Sequence, residues 1–599
     1  MERSSTIGYI LIFFLFLGFW FFNKDNVQQL ENQNSTSEIT TSNRDSSQFS
    51  DNEDIVIKDS FEKSTKIEEK LFTLKNSLLS VDFSNIGGIP KVVNLLDYKN
   101  YDSSDLLLID TNQLQFEYSI PLSNGNVINT SKVEFEQIQS EENSVSYKYS
   151  YNGADIIQTY TLKPKSYNLD YSVKFNGFNN TISPNNRYAE ITWKSEIQKL
   201  EKTAKDERPV TSVYYKYASD DDIDYLSETK DDDETLTSNV QWISFKQKFF
   251  NHTLINQNNF KEEGIFIESL EPEDESEAYV KKLSAKLFIP IETNDVVESM
   301  AWYFGPNHYP TLKDQNIGLQ KIIPLGWGIF GWVNKGLVIP IFNWLNNYFS
   351  NYGLIILLLT LIIKLGLFFP MYKVYKSSAK MRILKPELDE IKERTKGDAQ
   401  KAQQEQMKLY KQAGVSPLGG CLPQLIQMPI LFAMFRFFPA SIELRQKELW
   451  WADDLSSYDS IFDFPNGFEI PFYGDHISLF TLMMTVVTIL FTYMNSQNSG
   501  QMVGPMKTVM YVMPIMFLGF FNNYAAALSF YYFLSTCITI VQNVVIRKFV
   551  IDEDKLHQQI QESKKKKVVM KKSNLQKRLE NMAKKRGVDP YTGKAKKKK

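Results

Sequence analysis

Apolar residues are gathered into six spans, and this constrains the chain more than any other feature. The spans cover residues 7–22, 354–372, 420–438, 477–494, 508–521 and 525–546. The longer ones approach the roughly 17 to 25 residues that a helix needs to cross hydrocarbon. A polar stretch of more than 300 residues separates the first span from the second. The 43% apolar content is therefore an average over two kinds of sequence. The pattern predicts a polytopic α-helical membrane protein with six transmembrane helices and a large polar domain inserted after the first.

Charge supplies an orientation. The formal net charge is −3, yet residues 547–599 carry 19 Lys and Arg against 6 Asp and Glu, so the remainder sums to −16. Residues 373–417 hold 11 basic and 6 acidic side chains, whereas residues 443–475 hold 2 basic and 8 acidic. Because Lys and Arg favour cytoplasmic loops, this alternation places both termini in the cytoplasm and the large domain outside. The first span is followed by Asn23, Lys24 and Asp25 without a small-residue cleavage site, and is expected to remain as an anchor.

The expected organisation runs from an anchor (1–23) through a disordered linker (24–67) to a periplasmic β-sandwich domain (68–325). Short β-branched and aromatic runs, with turns at Gly87-Gly88 and Asn124-Gly125, argue for the sandwich. An aromatic-rich interfacial amphipathic helix (326–350) follows, then spans or loops at 351–372, 373–417, 418–439, 440–476, 477–494, 495–507, 508–522 and 525–546. Residues 373–417 are predicted to form a cytoplasmic helical hairpin broken near Thr395 to Asp398. Residues 547–599 form a basic cytoplasmic tail.

Cys421 and Cys537 both lie in apolar spans, so the polar domain has no disulfide framework. The four histidines are scattered, and the acidic runs Asp220 to Asp222 and Asp231 to Glu234 lack calcium-loop spacing. A solvated loop is the expectation for both runs. No metal site, cofactor or enzymatic chemistry is expected.

Lys364 stands in the middle of the second span, where a bilayer penalises a lysine by about 2.5–3.5 kcal/mol. Thr360 lies one helical turn before it on the same face. Gln424 and Gln427 mark the third span, Thr481, Thr485, Thr488 and Thr492 the fourth, and Tyr532, Ser535, Thr536, Thr539, Gln542 and Asn543 the sixth. Polar residues in bundles commonly bond across helices, and for any one threonine that reading is the simpler one. Lys364 differs, because none of the other five spans contains an Asp or Glu. In the predicted orientation, most of these polar groups fall in the cytoplasmic half. They would line a groove open to the cytoplasm and to lipid.

The segments Ser378-Ala379-Lys380-Met381-Arg382, with Pro386, Ser416 to Pro423, and Gln427-Met428-Pro429-Ile430 closely resemble the YidC family of membrane protein insertases. The resemblance implies a five-helix insertase core, a β-supersandwich outer domain and an inner-membrane location. It also implies a substrate groove containing Lys364, Thr360, Gln424, Gln427, Tyr531, Tyr532, Ser535, Thr539 and Gln542. The family has an arginine where Lys364 stands, so charge is kept here while the bidentate fork is lost. Nascent membrane proteins, the Sec translocon, the ribosome and the lipid bilayer are the implied partners. Lys564, Lys565, Lys566, Lys567, Lys596, Lys597, Lys598 and Lys599 are expected to grip ribosomal RNA. A solute transporter would need a coupling-ion site and an outward exit, and a sugar-acting outer domain would need convergent acids or a histidine. Neither is evident in the sequence.

Overall fold

The structure is a computed structural model that describes residues 68–565 apart from 262–263, 273–277, 396–397, 416–421, 466–467 and 499–504. The first apolar span, the linker and the tail beyond residue 565 lie outside the described residues. The described chain divides into two compact units, one comprising residues 68–326 with 436–458, the other residues 327–435 with 459–565.

The first unit is built on antiparallel sheets of nine, six and four strands. The nine-stranded sheet is centred on Phe250–Phe260, Asp295–Pro306 and Asn168–Asn176, and the six-stranded sheet on Tyr188–Gln198. Alternation in the sequence becomes alternation in burial. Leu169, Tyr171, Val173 and Phe175 point inward along one strand, and Ala189, Ile191, Trp193 and Ile197 along another. The two inner faces meet where Trp193 stacks on Phe245, with ring centroids 3.8 Å apart, and meets Trp302 edge-on at 5.0 Å. Such aromatic contacts add to area burial in a core that has no disulfide.

Gly88 shows why the predicted Gly87-Gly88 turn needs glycine. Its φ is +65°, and a Cβ there would lie 3.0 Å from the Gln158 side chain and 3.1 Å from Tyr147. The close approach lets Gln158 donate to Gly87 O at 2.6 Å, and Gln158 in turn accepts from Tyr171 at 2.8 Å.

The acidic runs divide: Asp220 to Asp222 is an exposed loop, as expected, whereas Asp231 to Glu234 differs from that expectation. Asp232–Thr235 is an edge strand, Asp231 accepts from Glu271 N at 2.7 Å, and Lys321 pairs with Asp222 at 2.7 Å. The carboxylates cap backbone and bind lysine. Among the described residues no group of acidic, His and Cys side chains could hold a metal ion.

Residues 436–458, the last turn of an apolar helix and the loop after it, belong to this β unit. Arg445, almost fully buried, donates to Glu201 at 2.7 Å and to the carbonyls of Lys99 at 2.6 Å and Leu200 at 3.2 Å. Its guanidinium also lies 5.2 Å from the Phe250 ring centre. Four acceptors or faces around one planar cation explain why this loop is held in place.

The second unit is helical. The aromatic-rich segment is helical without a break from Gly328 to Asn346: Gly328–Val333 passes through a π-helical turn at Asn334–Val338 into α1 (Ile339–Asn346). Asn334 is buried there and donates to Ala433 O at 2.8 Å. Trp327, Trp332 and Trp344 stay largely exposed.

The second apolar span differs from the single helix expected over 351–372. It is divided into α2 (Tyr352–Gly366) and α3 (Phe368–Ile383), bent by 57°. Pro370 accounts for the break, since it has no N–H to offer and its ring would clash with the carbonyl four residues back, that of Gly366. From α3 the chain continues through α4 (Lys385–Arg394) and α5 (Ala399–Ala413), then α6 (Leu422–Ala440), α7 (Leu479–Asn498), α8 (Pro505–Asn522) and α9 (Ala526–Val545). Among the described residues two helices are long and apolar enough to cross a membrane, Leu479–Ser496 and Ala526–Val550, and the bent pair α2–α3 passes as a third. Ile426–Ala440 and Tyr511–Asn522 are shorter apolar helices.

The beginning of the basic tail is a packed element. It folds as α10 (Glu553–Lys565), which lies against α3 and α5. Ile560 joins Met381, Leu384, Leu388, Ile391, Leu409 and Ala413 in one buried cluster. The apolar seam of the hairpin is therefore shared by a third partner. Arg382–Glu553 and Lys564–Glu387 ion pairs flank it.

Candidate functional site

Lys364 lies on the buried face of α2. The residues buried with it, Ile356, Leu359, Thr360 and Ile363, recur at helical spacing, so the turn that sequesters these apolar groups carries the ammonium inward as well. Lys364 is 5% exposed. Its Nζ donates to Thr539 Oγ1 at 2.7 Å and to Gln427 Oε1 at 3.0 Å. Gln427 Nε2 then donates to Ser535 Oγ at 3.2 Å, and Thr539 Oγ1 to the Ser535 carbonyl at 2.7 Å. Gln542 reaches the backbone of the same residue, donating to Lys364 O at 3.5 Å. One network thus joins α2, α6 and α9.

The spacing of Ser535, Thr539 and Gln542, at intervals of four and three, puts all three on one face of α9. That face meets Lys364 on α2 and Gln427 on α6. Among the described residues, the acceptors that hold the Lys364 ammonium, Gln427 and Thr539, are neutral. Hydrogen bonds are satisfied without cancelling the charge, and an uncompensated cation in a low-dielectric setting exerts a strong field on any carboxylate that approaches.

The other expected residues divide sharply. Thr360 shares the Lys364 face, but its hydroxyl donates to Ile356 O at 2.6 Å within its own helix. Tyr532 is half-buried and ties α9 to α6, donating to Leu431 O at 3.4 Å. Tyr531, beside it, is fully buried in the bundle, so the pair does not present two rings to a ligand. The side chain of Gln424 lies outside the described residues. The threonine stripe of α7 also turns on itself: Thr485 donates to Thr481 O, Thr488 to Met484 O and Thr492 to Thr488 O, at 2.7–2.8 Å. This back-bonding uses the donors that a polar lining would need.

Among the tail lysines, Lys564 is engaged with Glu387. The side chain of Lys565 and all of Lys566, Lys567, Lys596, Lys597, Lys598 and Lys599 lie outside the described residues.

Asp459 is a buried group that the sequence reading did not single out. Its carboxylate accepts from Ser478 Oγ at 2.5 Å, Leu479 N at 2.9 Å and Phe480 N at 3.0 Å, capping the start of α7. A carboxylate 20 residues ahead of a helix gives no local capping signal.

Two family models match successive parts of the chain. The family model described as YidC periplasmic domain matches residues 71–340, and that described as 60Kd inner membrane protein matches residues 344–554. The membrane protein insertase YidC of Parabacteroides distasonis is 37% identical, covering 97% of each chain. That of Bacteroides fragilis is 35% identical, covering 98% of this chain and 97% of its own. A crystal structure of an active YidC insertase with its first transmembrane domain resolved aligns at 19% identity and a TM-score of 0.33, covering 81% of this chain and 94% of its own.

Proposed function

The chain belongs to the YidC family of membrane protein insertases, and from this we propose that the Lys364 network is the polar receptor for the hydrophilic flank of an incoming membrane segment. The protein is an inner-membrane insertase with a periplasmic domain, not an enzyme, and its substrates are membrane proteins. The observation that carries the proposal is the Lys364 ammonium held, among the described residues, by neutral Gln427 and Thr539.

In this reading six spans place both termini in the cytoplasm, the last five form the insertase core, and the groove around Lys364 opens inward. Residues 1–23 anchor the chain, residues 24–67 tether the periplasmic domain, and residues 326–350 lie along the interface. A substrate's polar flank enters from the cytoplasm and exchanges part of its hydration for Lys364, Gln427, Ser535, Thr539 and Gln542. Gln424, Thr360 and Tyr532 complete the wall, with Tyr531 behind it. The apolar segment then passes into lipid. No phosphate-binding loop of the G-x-x-x-x-G-K-[ST] type occurs in the sequence, so hydrophobic partition drives the step at about 0.8 kcal/mol per buried methylene. The membrane potential adds about 2.3 kcal/mol per charge per 100 mV for an acidic flank moving outward. The ribosome, held by the lysines beyond α10, and the Sec translocon supply substrates.

The test compares Lys364→Ala and Lys364→Arg in reconstituted vesicles with a substrate whose translocated flank is acidic. Lys364→Ala is expected to lower insertion and Lys364→Arg to retain it, with circular dichroism confirming that both are folded. Equal insertion by the folded Ala variant would remove charge attraction from the mechanism.

A further inference from the structure

The segment between Asp459 and α7 forms a short hairpin. Phe462–Asp463 pairs with His476–Ile477, and Ile470 and Gly474 exchange two backbone hydrogen bonds of 2.9 Å to close its tip. That tip is apolar and faces outward. Phe472 is 95% exposed, Phe468 60%, and Ile470 is also exposed. Phe472 also holds a φ of +66°, a conformation that bulky side chains rarely adopt. An exposed ring fixed on a strained backbone needs something to cover it.

Where the tip rests identifies the cover. A Cβ on Gly519 would lie 2.7 Å from Phe472 O, so the tip sits directly on α8 at a position where only glycine leaves room. Gly519 is three residues before the end of α8, about 4.5 Å along the axis. The hairpin is fastened at that depth. Asn522 Nδ2 donates to Tyr473 O at 3.0 Å and to His476 O at 2.8 Å, Asn523 donates to Tyr473 O at 3.2 Å, and Ser478 N donates to Asn522 Oδ1 at 3.0 Å. Below Gly519 on the same helical face stand Val512, Ile515 and Met516, all exposed. This stripe is apolar and exposed, and Phe472 extends it at the C-terminal end of α8.

We propose that the hairpin tip is a lipid-inserting wedge, with Phe472 and Phe468 seated among acyl chains where the bilayer meets the end of α8. Glu469 and Asp475 flank the tip and keep the hairpin base at the level of the headgroups. In the topology proposed above this is the periplasmic leaflet. The wedge itself requires only that α8 lie in the bilayer.

The experiment replaces Cys421 and Cys537 by Ser and introduces Phe472→Cys or, as a reference at the exposed hairpin base, Asp463→Cys. Each is labelled with NBD in proteoliposomes. The label at 472 is expected to show blue-shifted emission and stronger quenching by acyl-chain nitroxide lipids than by aqueous iodide, with the reverse at 463. Iodide quenching at 472 equal to that at 463 overturns the proposal, and so does shielding from both quenchers, which would mean a protein cover. Because the label replaces the ring, a benzophenone amino acid at Phe468 gives a second measurement. Crosslinking to radiolabelled phospholipid supports the wedge, and crosslinking to a substrate polypeptide in place of lipid refutes it.

Discussion

At the scale of single residues, buried charges decide most of what is distinctive in both units. Lys364 is held by neutral partners, and its compact ammonium makes single-point bonds that a guanidinium fork would replace with a different geometry. In the β unit the contrast is Glu207, buried and accepting from Leu200 N and Glu201 N at 2.8 Å each. Burial, reinforced by the neighbouring Glu201 carboxylate, pushes its pKa from 4.5 up to about 8. The folded state therefore binds a proton that the unfolded chain releases. The resulting stability is complete below pH 4.5 and is lost as pH rises through 8. Glu207→Gln keeps an acceptor for both amides and removes the titration. It is expected to flatten the pH dependence of thermal unfolding across this window and to be more stable than the parent at alkaline pH. An unchanged profile would mean that Glu207 does not titrate there. Lys364 was legible in the sequence because a lysine among apolar residues is conspicuous. Glu207 and Arg445 were not, because a charge within polar sequence gives no sign of being buried.

At the scale of elements, periodicity located the helices, while side-chain chemistry set their breaks and partners. Pro370 and the 57° bend between α2 and α3 illustrate the first point. The second is illustrated by α10, which composition alone assigned to a free basic tail. Its Ile560 is buried against the hairpin, and its Lys564 pairs with Glu387. Ile560→Ala is expected to weaken this packing by about 2–5 kcal/mol, the range for truncating a buried aliphatic side chain. Hydrogen exchange should report faster exchange throughout Lys385–Arg394 and Ala399–Ala413. If protection there is unaffected, α10 does not clamp the hairpin. The α7 threonines teach a related lesson: spacing placed them on one stripe, but the hydroxyls of Thr485, Thr488 and Thr492 return to carbonyls one turn back in their own helix while Thr481 bonds across to Phe521 O, a division the pattern of residue types could not reveal.

At the scale of the whole molecule, the chain joins an antiparallel β unit to a helical membrane unit and then to a basic extension. Residues 566–599 hold 14 Lys and Arg against 2 Asp and Glu, so their deletion is expected to weaken ribosome co-sedimentation, most clearly at low salt. Cutting after residue 565 leaves α10 in place and separates tail contacts from hairpin packing. Retained, salt-insensitive binding would exclude the tail as the main contact. The sequence by itself determined the apolar spans, the β-rich insertion, the charge alternation and the family motifs, because each is a local property of composition, spacing or residue order. Only the tertiary structure decided which polar groups meet Lys364, that Arg445 is locked to Glu201, and that Phe472 rests on Gly519. Those outcomes depend on segments far apart in the chain competing for the same buried space, and no local pattern encodes which of them will meet.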